Sequence, residues 1–300
     1  MKSKNNNEFL FWACDYSLNT GEGRLARKFI NNFEIENQCK TLQIKKNYNF
    51  ILNYKYISPF IGIFYLWYFF FKNKKVIYIN YLPLWNSLIF LTLPPNTILG
   101  PITGGANFTT TNKINFYIRK SIFPKLYKLS ETILNKRFKN ITFSTDLLKK
   151  YLSKKTIKKS KFNFVLKNIF LNKGNLKKKI DFIIYYRKHK NKESHFSKKL
   201  ILNLINLGFK LEIVGDIINI KGLKNHGFRS NKYIQKLQKY SRFTIASGEN
   251  IYSLFITECL TNGVIIIIDK KFASYVSFFK EKFKIINLDD TKSLIKLKID

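Results

Sequence analysis

The cationic side chains of Arg187 and Lys192 follow residues 181–186, an apolar run with the length and composition of a buried strand. Arginine offers phosphate oxygens a planar fork of N–H donors, and lysine offers a mobile point charge. Because ligands of parallel sheets bind beyond the carboxyl ends of the strands, we predict that both residues contact an anion there. A cationic loop that arises by chance in a lysine-rich chain is the alternative.

Acidic residues are informative in a chain that has few of them, and residues 246–269, ASGENIYSLFITECLTNGVIIIID, contain Glu249 and Glu258. Glu258 falls within an apolar helical pattern, eight residues beyond Asn250 and nine beyond Glu249. A carboxylate in such surroundings needs a polar partner, which a ligand hydroxyl would supply. The alternative is a surface pair with one of the many lysines.

A glycine pair follows the first apolar run of the chain. Gly21, Glu22 and Gly23 come before an amphipathic helical pattern. Glycines let backbone amides approach a ligand, and a helix N-terminus favours an anion. An ordinary turn is the alternative, since the segment lacks the third glycine of a dinucleotide-binding fingerprint.

Short apolar runs alternate with helical patterns along the whole chain, which is typical of parallel sheets with crossover helices. Strands are predicted at residues 9–14, 41–44, 76–80, 97–99, 141–144, 181–186, 210–214, 243–246, 264–268 and 284–287. Helices in the second half are predicted at residues 194–207, 231–240, 252–262 and 272–280. The polar, basic stretch at residues 166–179 is the best domain boundary, so the prediction is two doubly wound α/β domains, 1–166 and 167–300, with a cleft between them.

The composition is strongly basic, with 54 Lys and Arg against 18 Asp and Glu and a formal net charge of +36. Such a field attracts polyanions, so a nucleic-acid-binding protein is one hypothesis. Abundant Lys, Asn, Ile, Phe and Tyr instead indicate an A+T-rich coding bias, and we expect no nucleic-acid partner. The three cysteines have no paired spacing and predict reduced thiols in the cytoplasm, and the three histidines form no zinc motif.

An aromatic segment at residues 57–71 is the longest apolar run, shorter than a membrane span and flanked by lysines. We interpret it as a helix packed on a sheet, with an interfacial helix at an anionic membrane as the alternative. No signal-peptide pattern opens the chain. The expected location is therefore the cytoplasm, with a peripheral contact at the inner face of the plasma membrane left open.

The segments together resemble the retaining nucleotide-sugar glycosyltransferases of the GT-B fold, family four. NTGEGRLARKFI is similar to the family's GG-x-GR loop and helix, and DFIIYYRKHKNKE to its strand and GR-x4-K segment. HGFRSNKYIQKLQKYSRFTIASGENIYSLFITECLTNGVIIII is similar to the block from the G-x-v loop through E-x7-E to the G-x-P strand. GPITGGANF also resembles the GP-x-GG loop of some members.

The resemblance implies two Rossmann-like domains facing across a cleft and a sugar transferred from a nucleotide-diphosphate sugar to a glycan or lipid-linked acceptor, in cell-surface polysaccharide synthesis. Arg187 and Lys192 would neutralise the leaving diphosphate, and Glu258 would bind the ribose hydroxyls. Residues 21–23 would approach the donor from the other domain. Family members need no metal or other cofactor, so none is expected here.

The chain departs from the family pattern at several positions. Asn250 stands where the first Glu of E-x7-E is expected, unless a one-residue shift brings Glu249 into that catalytic role. Asn80 stands where many members have a sugar-contacting His, and Tyr186 replaces the Gly before the Arg. The C-terminal helix that returns to the first domain in many members is expected to be absent. A catalytically inactive homologue therefore stays an alternative, whereas an epimerase lacks an evident base.

Overall fold

The computed structural model describes residues 8–44, 54–80, 82–104, 113–171, 176–188, 198–248 and 250–299. The chain divides into two compact units. One comprises Met1–Gly104 and Lys120–Phe164, and the other comprises Gly105–Arg119 and Val165–Asp300. The domain ranges 1–166 and 167–300 stay a prediction.

The first unit is built on a four-stranded parallel sheet with the order β2-β1-β3-β5. Its elements are β1 (Phe9–Ala13), α1 (Gly21–Asn37), β2 (Thr41–Gln43), α2 (Tyr54–Phe71), β3 (Lys75–Ile79), β4 (Leu82–Pro83), α3 (Ser87–Thr92), β5 (Ile98–Leu99), β6 (Ile102–Thr103), α5 (Phe123–Arg137), β7 (Ile141–Thr142), a 3-10 turn (Lys149–Tyr151), α6 (Lys154–Lys158) and β8 (Ser160–Lys161). Between β6 and α5, α4 (Lys113–Tyr117) and the start of its π-helical continuation (Ile118–Ile122) belong to the second unit. β4 pairs with β6, and β7 pairs with β8.

Both faces of this sheet are covered, because alternate side chains of its strands point to opposite sides. Phe11 and Ile77 face α1, where they pack with Phe29. Trp12 and Tyr78 lie in the larger core on the other face. That core also holds side chains of α2, α3 and α5, namely Ile63, Leu66, Ile89, Phe90, Tyr127 and Leu134.

The second unit contains a six-stranded parallel sheet with the order β11-β10-β9-β12-β13-β14. Its elements are a 3-10 turn (Phe164–Leu166), β9 (Ile180–Tyr186), α7 (Lys198–Asn206), β10 (Leu211–Gly215), β11 (Lys224–Asn225), α8 (Asn231–Lys239), β12 (Ser241–Ile245), α9 (Leu254–Thr261), β13 (Ile265–Asp269), two 3-10 turns (Lys270–Tyr275 and Lys280–Lys282), β14 (Phe283–Ile286) and α10 (Thr291–Ile299). In chain order the strands run 3-2-1-4-5-6, which is the Rossmann arrangement. The predicted α/β class is confirmed in this unit.

The helix predicted at residues 272–280 is wrong. A 3-10 turn ends at Tyr275, and the N–H groups of Ser277 and Phe278 donate to the phenol oxygen of Tyr252 instead of to helical carbonyls. Phe279 then has a φ of 53°, which interrupts a right-handed helix.

A helix that the sequence analysis did not predict follows the last strand. This helix, α10, contributes Leu294 and Leu297 to the core of the second unit.

Candidate functional site

The topological switch point of the second sheet lies between β9 and β12, where the strand order reverses. Chain segments leave these two strands in opposite directions, which opens a crevice at their carboxyl ends. Arg187 directly follows β9, and the segment with Asn250 follows β12. The fold therefore places the predicted cation and a predicted catalytic residue at the two sides of this crevice.

The guanidinium of Arg187 is oriented by several neighbours. Its Nη1 donates to the hydroxyl of Tyr185 over 3.0 Å, and its Nε lies 3.6 Å from Oδ2 of Asp216. The ring centroid of Phe228 is 5.7 Å from its central carbon, within cation–π range. The Tyr185 hydrogen bond and the Asp216 carboxylate raise the pKa of Arg187 despite partial burial, so the group stays charged. Its side chain is still 44% exposed, so an anion can reach it.

The position of Asp216 depends on the glycine before it. Gly215 ends β10 with a φ of +104°, and a Cβ there would lie 2.3 Å from the carbonyl oxygen of Tyr186. That contact is with backbone, so no side chain fits. The N–H of Asp216 donates to the same carbonyl over 2.9 Å, and its carboxylate accepts from the N–H of Lys188 over 2.6 Å. The end of β10 is thus fixed beside the end of β9.

Glu258 lies on α9, a helix that begins after the N-cap Ser253. Its Oε1 accepts a hydrogen bond from Nδ2 of Asn231 over 2.9 Å. Asn231 is the first residue of α8. The carboxylate is half-buried, and this partner is a side-chain amide.

The segment between β11 and α8 connects the surroundings of Arg187 and Glu258. Phe228 of this segment contacts Arg187, and Asn231, three residues later, binds Glu258. On the other side, Tyr185 stacks on Phe255 of α9 with ring centroids 5.4 Å apart. Arg187 is therefore linked to α9, the helix that carries Glu258, through the contact of Tyr185 with Phe255.

Asn250 is exposed, and its N–H donates to the carbonyl of Ser247 over 3.2 Å. It presents a neutral amide where the family pattern has a carboxylate. The other residues predicted for this edge, Lys192 and Glu249, lie outside the described residues.

The switch point of the first sheet lies between β1 and β3, and it gathers the other predicted residues. Gly21 and Glu22 are exposed, and Gly23 is buried. All three lie within the first turn of α1, so the prediction that the glycines precede the helix is wrong. Thr20 is the N-cap and accepts from the N–H of Gly23 over 2.9 Å, which starts the helix earlier than the pattern indicated.

Gly23 is required by the chain segment that follows β1. A Cβ at this position would lie 2.3 Å from the carbonyl oxygen of Ser17 and 2.7 Å from Oδ1 of Asp15. Asp15 also accepts from the N–H of Ser17 over 2.8 Å. The glycine therefore lets the segment after β1 lie against the helix, which is a packing role.

Asn80 follows β3 at the same edge, and it is half-buried. Its Nδ2 donates to the hydroxyl of Tyr78 over 3.3 Å. Burial raises the pKa of Tyr78 well above its ordinary value, so this phenol stays protonated. Asn80 thus offers a neutral polar group in place of the family's histidine.

Sequence reasoning missed the residues that orient Arg187 and Glu258, namely Asp216, Tyr185, Phe228 and Asn231. Asp216 was detectable, because it is an acidic residue directly after a predicted strand in a chain with few acids. The others have roles that depend on pairing between strands and on helix packing, which residue types do not show.

Comparison with known proteins supports the fold. No protein-family model matches the chain, and no curated protein matches it. Among solved structures, Anabaena HepE in complex with UDP has a TM-score of 0.53 at 8% identity, covering 97% of this chain and 89% of that one. UDP-GlcNAc 2-epimerase of Methanocaldococcus jannaschii, in complex with UDP-GlcNAc and UDP, has a TM-score of 0.49 at 10% identity, covering 97% and 91%.

The likeness to HepE shows the fold, so the predicted class with two Rossmann-like domains of the GT-B type is confirmed. Membership of family four and a retaining mechanism stay predictions. Independence of a metal also stays a prediction; the part of the chain that the structure describes contains no group of three or more His, Cys, Asp or Glu side chains suited to an ion.

Proposed function

We propose that this chain is a glycosyltransferase that moves a sugar from a nucleotide-diphosphate sugar to a glycan or lipid-linked acceptor, with retention of configuration. The observation that carries the proposal is the position of Arg187 directly after β9, at the switch point of a Rossmann sheet, with Glu258 on α9, the helix that follows β12. A cation suits a diphosphate and a carboxylate suits ribose hydroxyls, so one edge holds groups for both parts of a nucleotide.

The roles follow from position and charge. Arg187 and Lys192 stabilise the negative charge that develops on the departing diphosphate. Glu258 accepts hydrogen bonds from the ribose. The reaction needs no metal in this proposal, because the cationic side chains provide the charge.

Asn250 decides between an active enzyme and an inactive homologue. Its amide cannot carry the negative charge of a catalytic carboxylate, so an active enzyme would need Glu249 in that role. If Glu249→Gln abolishes transfer while donor binding persists, Glu249 is the carboxylate. An absence of turnover in the unaltered protein, with donor binding intact, would establish the inactive homologue.

The first experiment is a thermal-shift panel with UDP-, GDP-, ADP- and TDP-sugars. A ligand that binds only the native state at one hundred times its Kd adds about 2.7 kcal/mol to the free energy of unfolding. We expect one nucleotide to raise Tm at physiological salt. Tight, salt-sensitive binding of DNA or RNA, with no response to any nucleotide, would overturn the proposal in favour of a nucleic-acid-binding protein.

The second experiment compares Arg187→Ala with a matched control, Arg242→Ala. Arg242 lies near the amino end of β12, and its Nη1 is 3.6 Å from Oδ1 of Asp181, near the amino end of β9. Its side chain is 32% exposed, and it lies 5.0 Å from the ring of Phe243. Arg242 therefore has an acidic and an aromatic neighbour, like Arg187, at the opposite edge of the same two strands.

Loss of a charged hydrogen bond to a diphosphate weakens donor binding roughly ten- to hundredfold. We expect this loss for Arg187→Ala and Lys192→Ala, and binding within about twofold of the unaltered protein for Arg242→Ala. Equal effects at both edges would mean that net charge, not this site, binds the nucleotide.

The proposed location is the cytoplasm, in cell-surface polysaccharide synthesis, with a peripheral contact to an anionic membrane. A lipid-linked acceptor would be presented at such a surface.

A further inference from the structure

Helix α2 has an apolar face that the protein core does not use. Gly62 lies against the indole of Trp12 on β1, where a Cβ would be 2.3 Å from the ring, and Ile63 and Leu66 are buried in the same core. The exposed large apolar residues of the helix recur at intervals of three and four residues, so they share another face. They are Ile57, Phe60, Phe64, Tyr68 and Phe71.

The neighbouring helix extends this apolar surface. Nε1 of Trp67 in α2 donates to the carbonyl of Thr92, the last residue of α3, over 2.7 Å. Leu88 and Leu91, three residues apart on α3, are both exposed, whereas Phe90 is buried. We call the exposed side chains of α2 and α3 together the apolar face.

The charges around the apolar face are positive. Helices α2, α3 and α5 contain one acidic residue, Glu131, which is buried and accepts a hydrogen bond from the N–H of Ser153 over 2.6 Å. Exposed lysines lie on α5 and directly after α2. One of these, Lys72, lies over the ring of Tyr68, with its Nζ 4.2 Å from the centroid. Tyrosine beside lysine at the end of an aromatic helix is the arrangement found at membrane interfaces.

We propose that the apolar face docks on an anionic lipid bilayer, with α2 lying in the plane of the interface. An aromatic stripe on helices that carry basic residues and, among their described residues, no exposed carboxylate complements acyl chains below anionic headgroups. Among the described residues, no helix is long and apolar enough to cross a bilayer. The apolar face would make the peripheral membrane contact of the proposed function, and the proposal rests on that function for the cellular location only.

The test uses sedimentation with vesicles of equimolar phosphatidylglycerol and phosphatidylcholine, and with vesicles of phosphatidylcholine alone. Phe64 is 76% exposed in α2, and Phe170, outside the first unit, is 77% exposed, so Phe64→Ser and Phe170→Ser remove equally exposed rings. We expect Phe64→Ser to lower the partition coefficient on anionic vesicles roughly tenfold. The partition coefficient of Phe170→Ser should stay within about twofold of that of the unaltered protein, because Phe170 lies outside the apolar face. Binding by charge alone would instead affect both variants equally.

A second variant distinguishes a loss of lipid binding from a loss of folding. Phe71→Ser, at the end of the same face, should also lose affinity while its thermal unfolding matches that of the unaltered protein. Equal binding of all variants, or no binding of the unaltered protein at low salt, would overturn the proposal. Light scattering that shows a dimer without lipid, dissociated by Phe64→Ser, would overturn it in favour of a second copy on this face. None of these measurements involves a nucleotide, so a failed donor assay leaves them unaffected.

Discussion

Tyr252 anchors the segment that joins β12 to α9, and Tyr252→Phe tests how much that anchor contributes. The side chain is 1% exposed. Its hydroxyl donates to the carbonyl of Phe278 over 3.0 Å and accepts from the N–H groups of Ser277 over 3.0 Å and Phe278 over 2.8 Å. Phenylalanine keeps the ring contacts with Phe278 and Phe283 and removes all three hydrogen bonds.

Each hydrogen bond contributes about 1 kcal/mol net, so the substitution should lower the free energy of unfolding by about 3 kcal/mol. Ser277 and Phe278 are exposed residues, so water can reach part of their backbone, and this keeps the loss below the full cost of buried unpaired groups. Urea unfolding followed by circular dichroism measures the change, and the m-value should stay constant. Tyr68→Phe, at an exposed position, is the control and should change stability by less than about 0.5 kcal/mol.

A loss below about 1 kcal/mol for Tyr252→Phe would refute this reasoning, because it would mean that water replaces the phenol at no cost. The functional consequence is separate. Asn250 lies two residues before Tyr252, so a released anchor should also weaken donor binding. Donor affinity unchanged in a destabilised variant would show that residues 277 and 278 do not position the Asn250 segment.

Three further outcomes follow from single contacts. Gly23→Ala should destabilise the chain more than Gly21→Ala. Alanine stabilises a helix by about 1 kcal/mol relative to glycine at either position, but at residue 23 its Cβ overpacks against the Ser17 backbone, which costs about 1–3 kcal/mol. Equal Tm values would contradict this. Burial alone would raise the pKa of Glu131, but hydrogen bonds from two hydroxyls and a backbone N–H outweigh burial and lower that pKa. The loss of stability in Glu131→Gln should therefore be largest at neutral pH and vanish as the pH falls through the lowered pKa. A constant difference in urea midpoints across acidic pH would contradict this. Burial raises the pKa of Cys259 well above its ordinary value, so a thiol reagent should modify it only as fast as the protein opens. Peptide mapping distinguishes it from the half-buried Cys14 and Cys39, and rapid labelling of Cys259 itself in the folded chain would disprove its burial.

Most strands were predictable because a parallel strand that is buried on both faces is a continuous apolar run, which stands out from the polar residues before and after it. The run at residues 181–186 became β9 at Ile180–Tyr186, and the run at 264–268 became β13 at Ile265–Asp269. The two-residue strands β4 and β11 carry no such pattern, since their hydrogen bonds come from neighbours distant in the chain. Local periodicity could not predict them.

The candidate site was predictable only in part. The strand end that carries Arg187 followed from periodicity, because the side chain comes directly after an apolar run. The residues around it did not follow, since Asp216 reaches Arg187 through pairing of β10 with β9, and Asn231 reaches Glu258 through packing of α8 on α9. The glycines of α1 were misplaced because Thr20, a strong N-cap, is one residue before them and periodicity does not detect capping.

Whether a cationic side chain of this strongly basic protein binds a nucleotide depends on its position in the fold, and Arg187 and Arg242 of the second sheet show why. Arg187 and Arg242 each have a carboxylate 3.6 Å away and an aromatic ring within 6 Å, so their local chemistry is nearly the same. Arg187 lies beyond the carboxyl ends of β9 and β12, where the diverging chain leaves a crevice, and Arg242 lies near their amino ends, where a Rossmann sheet has none. A nucleotide bound by the field of the whole protein would lose equal affinity from either substitution. A nucleotide bound in the crevice would lose affinity when Arg187 is replaced and keep it when Arg242 is replaced. The two substitutions therefore distinguish binding at this site from binding by the net charge of the protein.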